Sequence, residues 1–203
     1  MSAQQIIELH QFGRRARHRL LEAIPAVDRD DPFTRPVADL GTIRAKFVHI
    51  MSAGLVWIDR IGFDAPSRSA TGMLSEEDVP DRSALNARWV EIDGRYDRLF
   101  SALGEDIDGV SNTAPDRVIH YKSLSGAPFQ STLRERLMQA ALHGMYHRGQ
   151  IATILSRLDG PTVSTDLIAC YRKNSYCNKS ARKTLTKKSG QGSGRDSHGD
   201  SRR

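Results

Sequence analysis

The sequence predicts an all-α fold, an antiparallel four-helix bundle with long inter-helix connections, and three observations lead to this prediction. Four long segments carry apolar residues at three-to-four spacing, the period of an amphipathic helix. Proline- and glycine-containing stretches separate these segments. Strand-like alternation is confined to one short region before the last of them. Bundles of this kind build metal sites from the side chains of facing helices.

The first two helices have clear ends. The first is predicted over residues 3–24, where arginines fall between the apolar positions and Pro25 stops the helix. The second is predicted from a cap at Thr42 to about Ile61, and Gly62 ends it. Each of the two segments therefore carries an apolar stripe and a residue that terminates it.

The second half of the globular part contains the other two helices. The third is predicted over about Ser83–Leu103. Residues 107–131 change character and indicate a short β-hairpin or an extended excursion. The fourth helix is predicted from Ser131 or Thr132 to about Leu158, with a Thr-x-x-Glu capping box at its start.

Charge divides the chain into two parts. The basic tail, residues 172–203, carries ten Lys or Arg against two Asp or Glu, a charge of +8 within a total of +6. The remaining globular part, residues 1–171, is therefore mildly acidic at −2, and the net charge alone gives no argument for nucleic-acid binding. Lys, Ser, Gly and Arg dominate the tail, so we expect it to be disordered. A short piece around Val163–Tyr171 could pack back on the bundle.

Cysteine usage and hydropathy bear on where the protein works. The two cysteines, Cys170 and Cys177, form no Cys-x-x-Cys pair and no disulfide framework, which favours a reduced setting. The sequence contains no run of about eighteen apolar residues, so we expect no transmembrane helix. Charged residues interrupt the N-terminal segment where a signal peptide would need an apolar stretch. We therefore expect a cytoplasmic protein without a membrane partner.

Among the seven histidines, one pair stands apart. His143 and His147 are four residues apart inside the fourth helix, so both leave the helix on the same side and can converge on one ion. The spacing alone slightly favours a simpler interpretation, a pair of hydrogen-bonded helix histidines. His10 and His18 lie among polar neighbours of the first helix and His198 lies in the tail, and we expect no function for these three.

A third histidine changes this balance. His49 lies on or beside the inward stripe of the second helix. Small residues at Ala53, Gly54, Gly144 and Gly149 would allow the second and fourth helices to approach closely. Three imidazoles from two facing helices would leave one or more coordination positions for water or substrate, which is typical of catalytic metal sites.

Neighbours of the histidine pair suggest further roles. Arg148 could form a salt bridge at the rim of the site, and Gln150 could orient a carbonyl or hydroxyl group. A surface ion pair and a helix-favouring polar residue are equally good interpretations of these two. Tyr146 is expected to pack, although it could donate a proton. A zinc-protease motif is absent, because Gly144 stands where that motif has its glutamate.

The segment His143–Leu158 contains a His-Arg-Gly-Gln element, and Thr165–Ile168 follows it. The first segment resembles the signature of the DinB family of bacterial metal-dependent four-helix bundles, and the second is similar to the usual ending of that family. Upstream, Phe47–Ile50 and Trp57 match the family's second-helix pattern. The resemblance spans roughly residues 3–172, and the His-Arg-Gly-Gln element is its most specific part.

The resemblance implies a divalent metal ion, usually nickel, zinc or iron, held by three histidines. By position these ligands would be His49, His143 and His147. The family often forms homodimers, and its wider superfamily includes thiol-dependent S-transferases and a mycothiol-dependent isomerase; its name refers to genes induced by DNA damage. This chain departs from the family at Ala53, where many relatives carry a carboxylate, and in the basic tail after Tyr171.

Two classes of function follow. The first is a metal-dependent enzyme whose ion activates a low-molecular-weight thiol for transfer to a small electrophilic substrate, with metal-dependent hydrolysis as a close neighbour. The second is a non-enzymatic, stress-induced metal-binding protein whose metal is structural. Nucleic-acid contact through the basic tail ranks below both, because a disordered basic segment binds anions without specificity. Three imidazoles suit several divalent metals, so the sequence does not identify the ion.

Overall fold

The computed structural model describes residues 2–26, 31–62, 73–105 and 114–172 of the 203-residue chain. These residues are mostly helical, with five helices and one short two-stranded antiparallel sheet. The predicted disordered tail, apart from Arg172, lies outside the described ranges. Within those ranges, no helix combines the length and the apolar character that a membrane crossing requires.

Helix α1 spans Ala3–Ala23 and runs directly into a short 3-10 turn at Ile24–Ala26. Its first turn is closed by a reciprocal capping box, in which the Ser2 hydroxyl accepts from the backbone N–H of Gln5 and the Gln5 side chain accepts from the Ser2 N–H. The predicted end at Pro25 is confirmed, because that proline lies inside the 3-10 turn and not in the helix.

Helix α2 spans Ile43–Ile61 and has the ends that the sequence predicts. The Thr42 hydroxyl accepts a hydrogen bond of 2.8 Å from the N–H of Ala45, which satisfies one of the free donors of the first turn. Gly62 ends the helix with a φ of 66°, a left-handed conformation that favours glycine. Both ends are therefore fixed by residues in or beside the helix.

The third and fourth helices flank a hairpin. Helix α3 spans Arg82–Glu105, strands β1 and β2 span Val118–Lys122 and Pro128–Thr132, and helix α4 spans Leu133–Arg157. The two strands pair antiparallel, so of the two predicted possibilities the hairpin is confirmed. Thr132 is at once the last strand residue and the N-cap of α4, and it forms the predicted capping box. The hairpin therefore leads into α4 without a loop.

The four long helices share one apolar core. Helix α4 packs against α1 and α2, and α3 packs against α1 and α2. Burying a large apolar side chain contributes roughly 1.5–3 kcal/mol relative to leaving it exposed, so this core supplies most of the force that holds the helices together. The core side chains with no more than 2% exposure include Ile6, Leu20, Phe47, Met51, Ile58, Leu85, Ile92, Leu99, Leu133, Ile151, Ile154 and Leu155.

Two ion pairs, one buried and one partly buried, join neighbouring helices. Arg95 of α3 lies 2.6 Å from Asp59 of α2, and both side chains are 6% exposed. Arg17 of α1 lies 2.5 Å from Asp93 of α3. Removing one partner of such a pair leaves a buried charge without compensation, so these contacts constrain how the helices sit against one another.

A fifth helix, α5, spans Leu167–Arg172 and belongs to a second compact unit that begins at Asp166. The Asp166 carboxylate accepts a hydrogen bond of 3.2 Å from the N–H of Ile168 in the first turn of the helix. The first unit, which contains α1 to α4 and the hairpin, ends at Thr165. The short helix corresponds to the piece that was expected around Val163–Tyr171.

Candidate metal centre

The three predicted metal ligands lie together in the structure. His49 is in the first half of α2, and His143 and His147 are one turn apart in the middle of α4. One ring nitrogen from each histidine lies within 4.8 Å of the other two, so the group could hold a metal ion. His49 is exposed and the other two are half-buried. The packing of α2 against α4 therefore assembles the cluster at the surface.

The spacing of the ring nitrogens is suitable for one ion. The Nε2 atom of His143 lies 3.1 Å from Nε2 of His49 and 3.2 Å from Nε2 of His147. Two imidazole nitrogens that each lie about 2.0–2.1 Å from one ion are about 3.4 Å apart in a tetrahedral site and about 2.9 Å apart at a right angle. Both observed distances fall between these limits. The donor set and its spacing therefore fit a divalent metal.

Hydrogen bonds among the three histidines do not satisfy all three Nε2 atoms. The Nδ1 atom of His147 lies 2.7 Å from Oε1 of Gln150, and this amide oxygen can only accept. His147 therefore donates from Nδ1, and when it is neutral its Nε2 carries a lone pair that faces His143. A proton on Nε2 of His143 could at best be shared between the Nε2 atoms of His49 and His147. A metal cation, in contrast, can accept the lone pairs of all three nitrogens.

Protonation also favours metal binding at neutral pH. Burial, followed by the charges of His147 and His49, lowers the pKa of His143 to about 4. Burial, followed by the charges of His147 and Lys46, lowers the pKa of His49. Both imidazoles are therefore neutral at pH 7, which is the state in which an imidazole is a metal ligand.

Gln150 connects the cluster to Tyr146, and its predicted orienting role at a metal site stays a prediction. The Gln150 side chain accepts from His147 and donates a hydrogen bond of 3.2 Å to the Tyr146 hydroxyl. The Tyr146 ring packs edge-on against the ring of His147, with 4.8 Å between centroids. Tyr146 itself is 64% exposed, so it lies at the outer edge of the cluster.

The predicted position of Arg148 at the rim of the site is wrong. Its side chain is only 7% exposed and packs inward against Gly13 of α1 and Gly144 of α4. The reason is helix geometry, because each step along α4 rotates the side-chain direction by about 100°. The residue after His147 therefore faces the core. Burial, followed by the charge of Arg17, lowers the pKa of Arg148 to about 10.

Of the small residues predicted to allow close helix approach, Gly144 has the tightest surroundings. A Cβ atom on Gly144 would lie 2.8 Å from Nη1 of Arg148 and 3.7 Å from Cγ2 of Ile50, so this glycine makes room for the arginine. Gly54 is less crowded, since a Cβ there would lie 4.0 Å from Ile92. The prediction is wrong for Gly149, where nothing lies within 4 Å of an added Cβ.

His10 is not the polar surface residue that its neighbours in sequence suggest. It is partly buried and hydrogen-bonds through Nε2 to the backbone oxygen of Leu137, at 2.9 Å. Its ring lies 5.1 Å from that of Tyr96 and 5.0 Å from that of Phe100. The sequence does contain the signal, because His10 is four residues after Ile6 and so lies on the same buried face of α1.

Comparison with known proteins adds one positive result. A family model described as the DinB family matches residues 1–173, which include all four long helices and the three clustered histidines. No curated protein matches the chain. The family match covers well over half of the sequence and confirms the resemblance carried by the His-Arg-Gly-Gln element. The chain belongs to the DinB family.

Proposed function

We propose that His49, His143 and His147 hold one divalent ion of zinc, nickel or iron, and that the protein is a metal-dependent enzyme. Its proposed reaction is the transfer of a low-molecular-weight thiol to a small electrophile. The observation that carries the proposal is the convergence of three Nε2 atoms, at 3.1 and 3.2 Å from His143 to its two neighbours, without an arrangement of protons inside the cluster that satisfies all three. Imidazole nitrogens are suitable ligands for each of these metals.

The exposure of the cluster supports a catalytic site over a closed structural one. Three protein ligands leave a coordination position free, whereas structural sites have four ligands from the protein. His49 is exposed, so a small molecule can reach the cluster from solvent. A divalent ion bound there would supply the positive charge that lowers the pKa of a nearby thiol or water and makes it a nucleophile at neutral pH.

The residues around the cluster favour a thiol as the nucleophile. Within the part of the chain that the structure describes, no Asp or Glu joins the three histidines, and Ala53 stands one turn after His49. A thiol has a pKa near about 8.5, far closer to neutral pH than that of water, so a bound cation needs to lower it much less. In the proposed transfer, sulfur bonds to the electrophilic carbon, the leaving group departs with the bonding electrons, and the thiol proton goes to solvent.

We further propose that α1 to α4 form an antiparallel four-helix bundle within a domain of residues 1–171, with residues 172–203 as an appended tail. The mutual packing of the four helices around one core supports this arrangement. Homodimer formation and a cytoplasmic location stay predictions.

Metal analysis tests the ligand set. We expect near-stoichiometric divalent metal in the wild-type protein, purified without a metal-chelating tag, and loss of that metal in His49→Ala. His18→Ala is the matched control, because His18 is an exposed histidine outside the cluster, and it should keep its metal. Equal metal content in all three proteins would contradict the site.

A thiol panel tests the reaction. The metal-loaded wild-type protein, incubated with common low-molecular-weight thiols and a chromogenic electrophile, should show turnover that a chelator removes. His147→Ala should lose the metal and the turnover together. If the protein holds its metal and turns over no thiol, the transferase proposal is wrong, and the non-enzymatic metal-binding protein becomes the better interpretation.

A further inference from the structure

A cavity of about 70 Å³ lies between α1, α2, α3 and α4. Its walls include Gly144 and Arg148 of α4, but His143 and His147 are not among its lining residues. The cavity therefore lies on a different face of α4 from the histidine cluster, and the proposed metal chemistry does not use it. Its other walls include apolar side chains, among them Leu9, Phe47, Ile50 and Ile92.

Arg148 brings a positive charge to this cavity and lacks a counter-ion in the described part of the chain. Arg148 is only 7% exposed. No described acceptor hydrogen-bonds its guanidinium, its Nε atom is buried without a partner, and the charge that lowers its pKa, that of Arg17, is also positive. The guanidinium is positioned by two glycines, since a Cβ atom would lie 3.2 Å from its nitrogens at Gly13 and 2.8 Å at Gly144.

The other charges at the cavity are already paired. Arg17 forms an ion pair of 2.5 Å with Asp93. Arg14 lies 3.3 Å from Asp93 and 3.0 Å from Asp97. Two arginines thus face two carboxylates, and the charge of Arg148 is left over. The local surplus of one positive charge matches a monoanion better than a dianion.

The energetics and the size of the cavity point to the same class of ligand. A buried charge without a partner is costly, and a hydrogen-bonded anion removes most of that cost. One water needs roughly 10–15 Å³ of such space, so the cavity has room for roughly five waters or for a carboxylate with a short hydrocarbon chain. A planar guanidinium also matches the geometry of a carboxylate in a bidentate contact.

We propose that this cavity binds the carboxylate of one short aliphatic acid, with Arg148 as its counter-ion and the apolar walls around its hydrocarbon chain. Access from solvent lies beside Arg14, which lines the cavity and has a side chain that is 27% exposed. The site does not depend on a metal ion at the histidine cluster.

Thermal unfolding in increasing concentrations of sodium propionate tests the proposal. Propionate replaces a bulky buffer anion that is too large for the cavity, so that the ionic strength stays constant. The Tm of the wild-type protein should rise saturably, by roughly 3–6 °C at ten times Kd. Arg157→Met, which removes an exposed arginine from the same helix, should show the same rise, and Arg148→Met should show none. No saturable rise in the wild type, or an equal rise in Arg148→Met, would overturn the proposal.

His49→Ala separates this cavity from the proposed metal site. The propionate response should persist in this variant, whose histidine cluster is incomplete. A response lost in His49→Ala would assign the carboxylate to the metal and overturn the cavity proposal. A failure of the metal site itself appears separately, as equal metal content in the wild type and His49→Ala.

Direct binding to the wild type keeps the test decisive if Arg148→Met does not fold. The line width of carboxyl-labelled ¹³C-propionate should increase with protein concentration, and nitrate, a planar monoanion, should reverse the broadening better than sulfate at equal concentration. Equal competition by sulfate would overturn the inferred preference for one negative charge. Binding of nitrate without any binding of propionate would assign the cavity to an inorganic anion and overturn the carboxylate.

Discussion

The Nδ1 atom of His147 lies 2.7 Å from Oε1 of Gln150, and this contact directs the Nε2 lone pair of His147 towards His143. A ligating histidine commonly donates its other N–H to an acceptor that fixes its ring orientation. In this chain both partners come from one turn of α4, so the orientation of the ring is set by the same helix that carries it.

Gln150→Leu should therefore weaken metal binding about 10–100-fold, because the His147 ring loses the acceptor that holds its tautomer and orientation. Gln150→Glu keeps an acceptor and should bind metal more tightly than Gln150→Leu. Competition with a chromophoric chelator measures the affinity. Thr153→Ala, an exposed substitution on the same helix, is the control and should match the wild type. Equal affinity of Gln150→Leu and the wild type would refute the role of this contact.

His10 should make stability depend on pH. Burial, opposed by the hydrogen bond to the Leu137 backbone, lowers the pKa of His10 to about 4, so the folded state resists its protonation. The unfolded chain takes up this proton below about pH 6.5, and stability is therefore lost as the pH falls from about 6.5 to about 4, by at most about 3 kcal/mol.

Urea unfolding between pH 7 and pH 4.5 measures this effect in wild type and in His10→Gln, which can keep a donor towards Leu137 but does not titrate. The free energy of unfolding of His10→Gln should fall less steeply on acidification. His18→Gln, which changes an exposed histidine of the same helix, should follow the wild type. Parallel curves for wild type and His10→Gln would show that His10 protonates equally in both states.

Two glycines of α4 should respond in opposite directions to alanine. Gly149→Ala should stabilise the protein by about 0.5–1 kcal/mol, because alanine favours a helix and nothing lies within 4 Å of the added Cβ. Gly144→Ala should lack this gain, because its Cβ would lie 2.8 Å from Nη1 of Arg148 and displace the guanidinium. Denaturant unfolding compares the two, and an equal gain would show that Arg148 moves aside without cost.

The ion pair between Asp59 and Arg95 should be important for stability. Asp59→Asn should lower the free energy of unfolding by about 3 kcal/mol or more, because it leaves Arg95, 6% exposed, without its full counter-charge. Asp116→Asn is the matched control, since the side chain of Asp116 is 79% exposed in its pair with Arg134. This substitution should lower the free energy of unfolding by less than about 1 kcal/mol. Similar losses in the two variants would contradict the distinction between the pairs.

Features that depend on neighbouring residues could be predicted from the sequence. The ends of α2 follow from the Thr42 cap and Gly62, and the start of α4 follows from the capping box at Thr132, because each involves hydrogen bonds within a few residues. The shared side of His143 and His147 follows in the same way from the helical repeat.

The inward direction of Arg148 was not predicted, because it depends on how α4 is rotated against α1. The sequence His-Arg does not show whether both side chains lie at the surface or whether the histidine lies at the surface and the arginine faces the core. The cavity beside Arg148 likewise requires Gly13, which is 135 positions away, and no local pattern links the two residues. The four-residue spacing between His10 and Ile6 indicates that His10 lies on the buried face of α1, but its polar neighbours in sequence suggest an exposed position.

The sequence by itself determined where the helices begin and end, which family the chain resembles, and that two imidazoles leave α4 on one side. Only the tertiary structure decided that His49, 94 residues before His143, brings its Nε2 atom to 3.1 Å from that partner. The physical reason is that helix ends and helix faces depend on local backbone geometry, whereas distances between helices depend on the packing of one shared core.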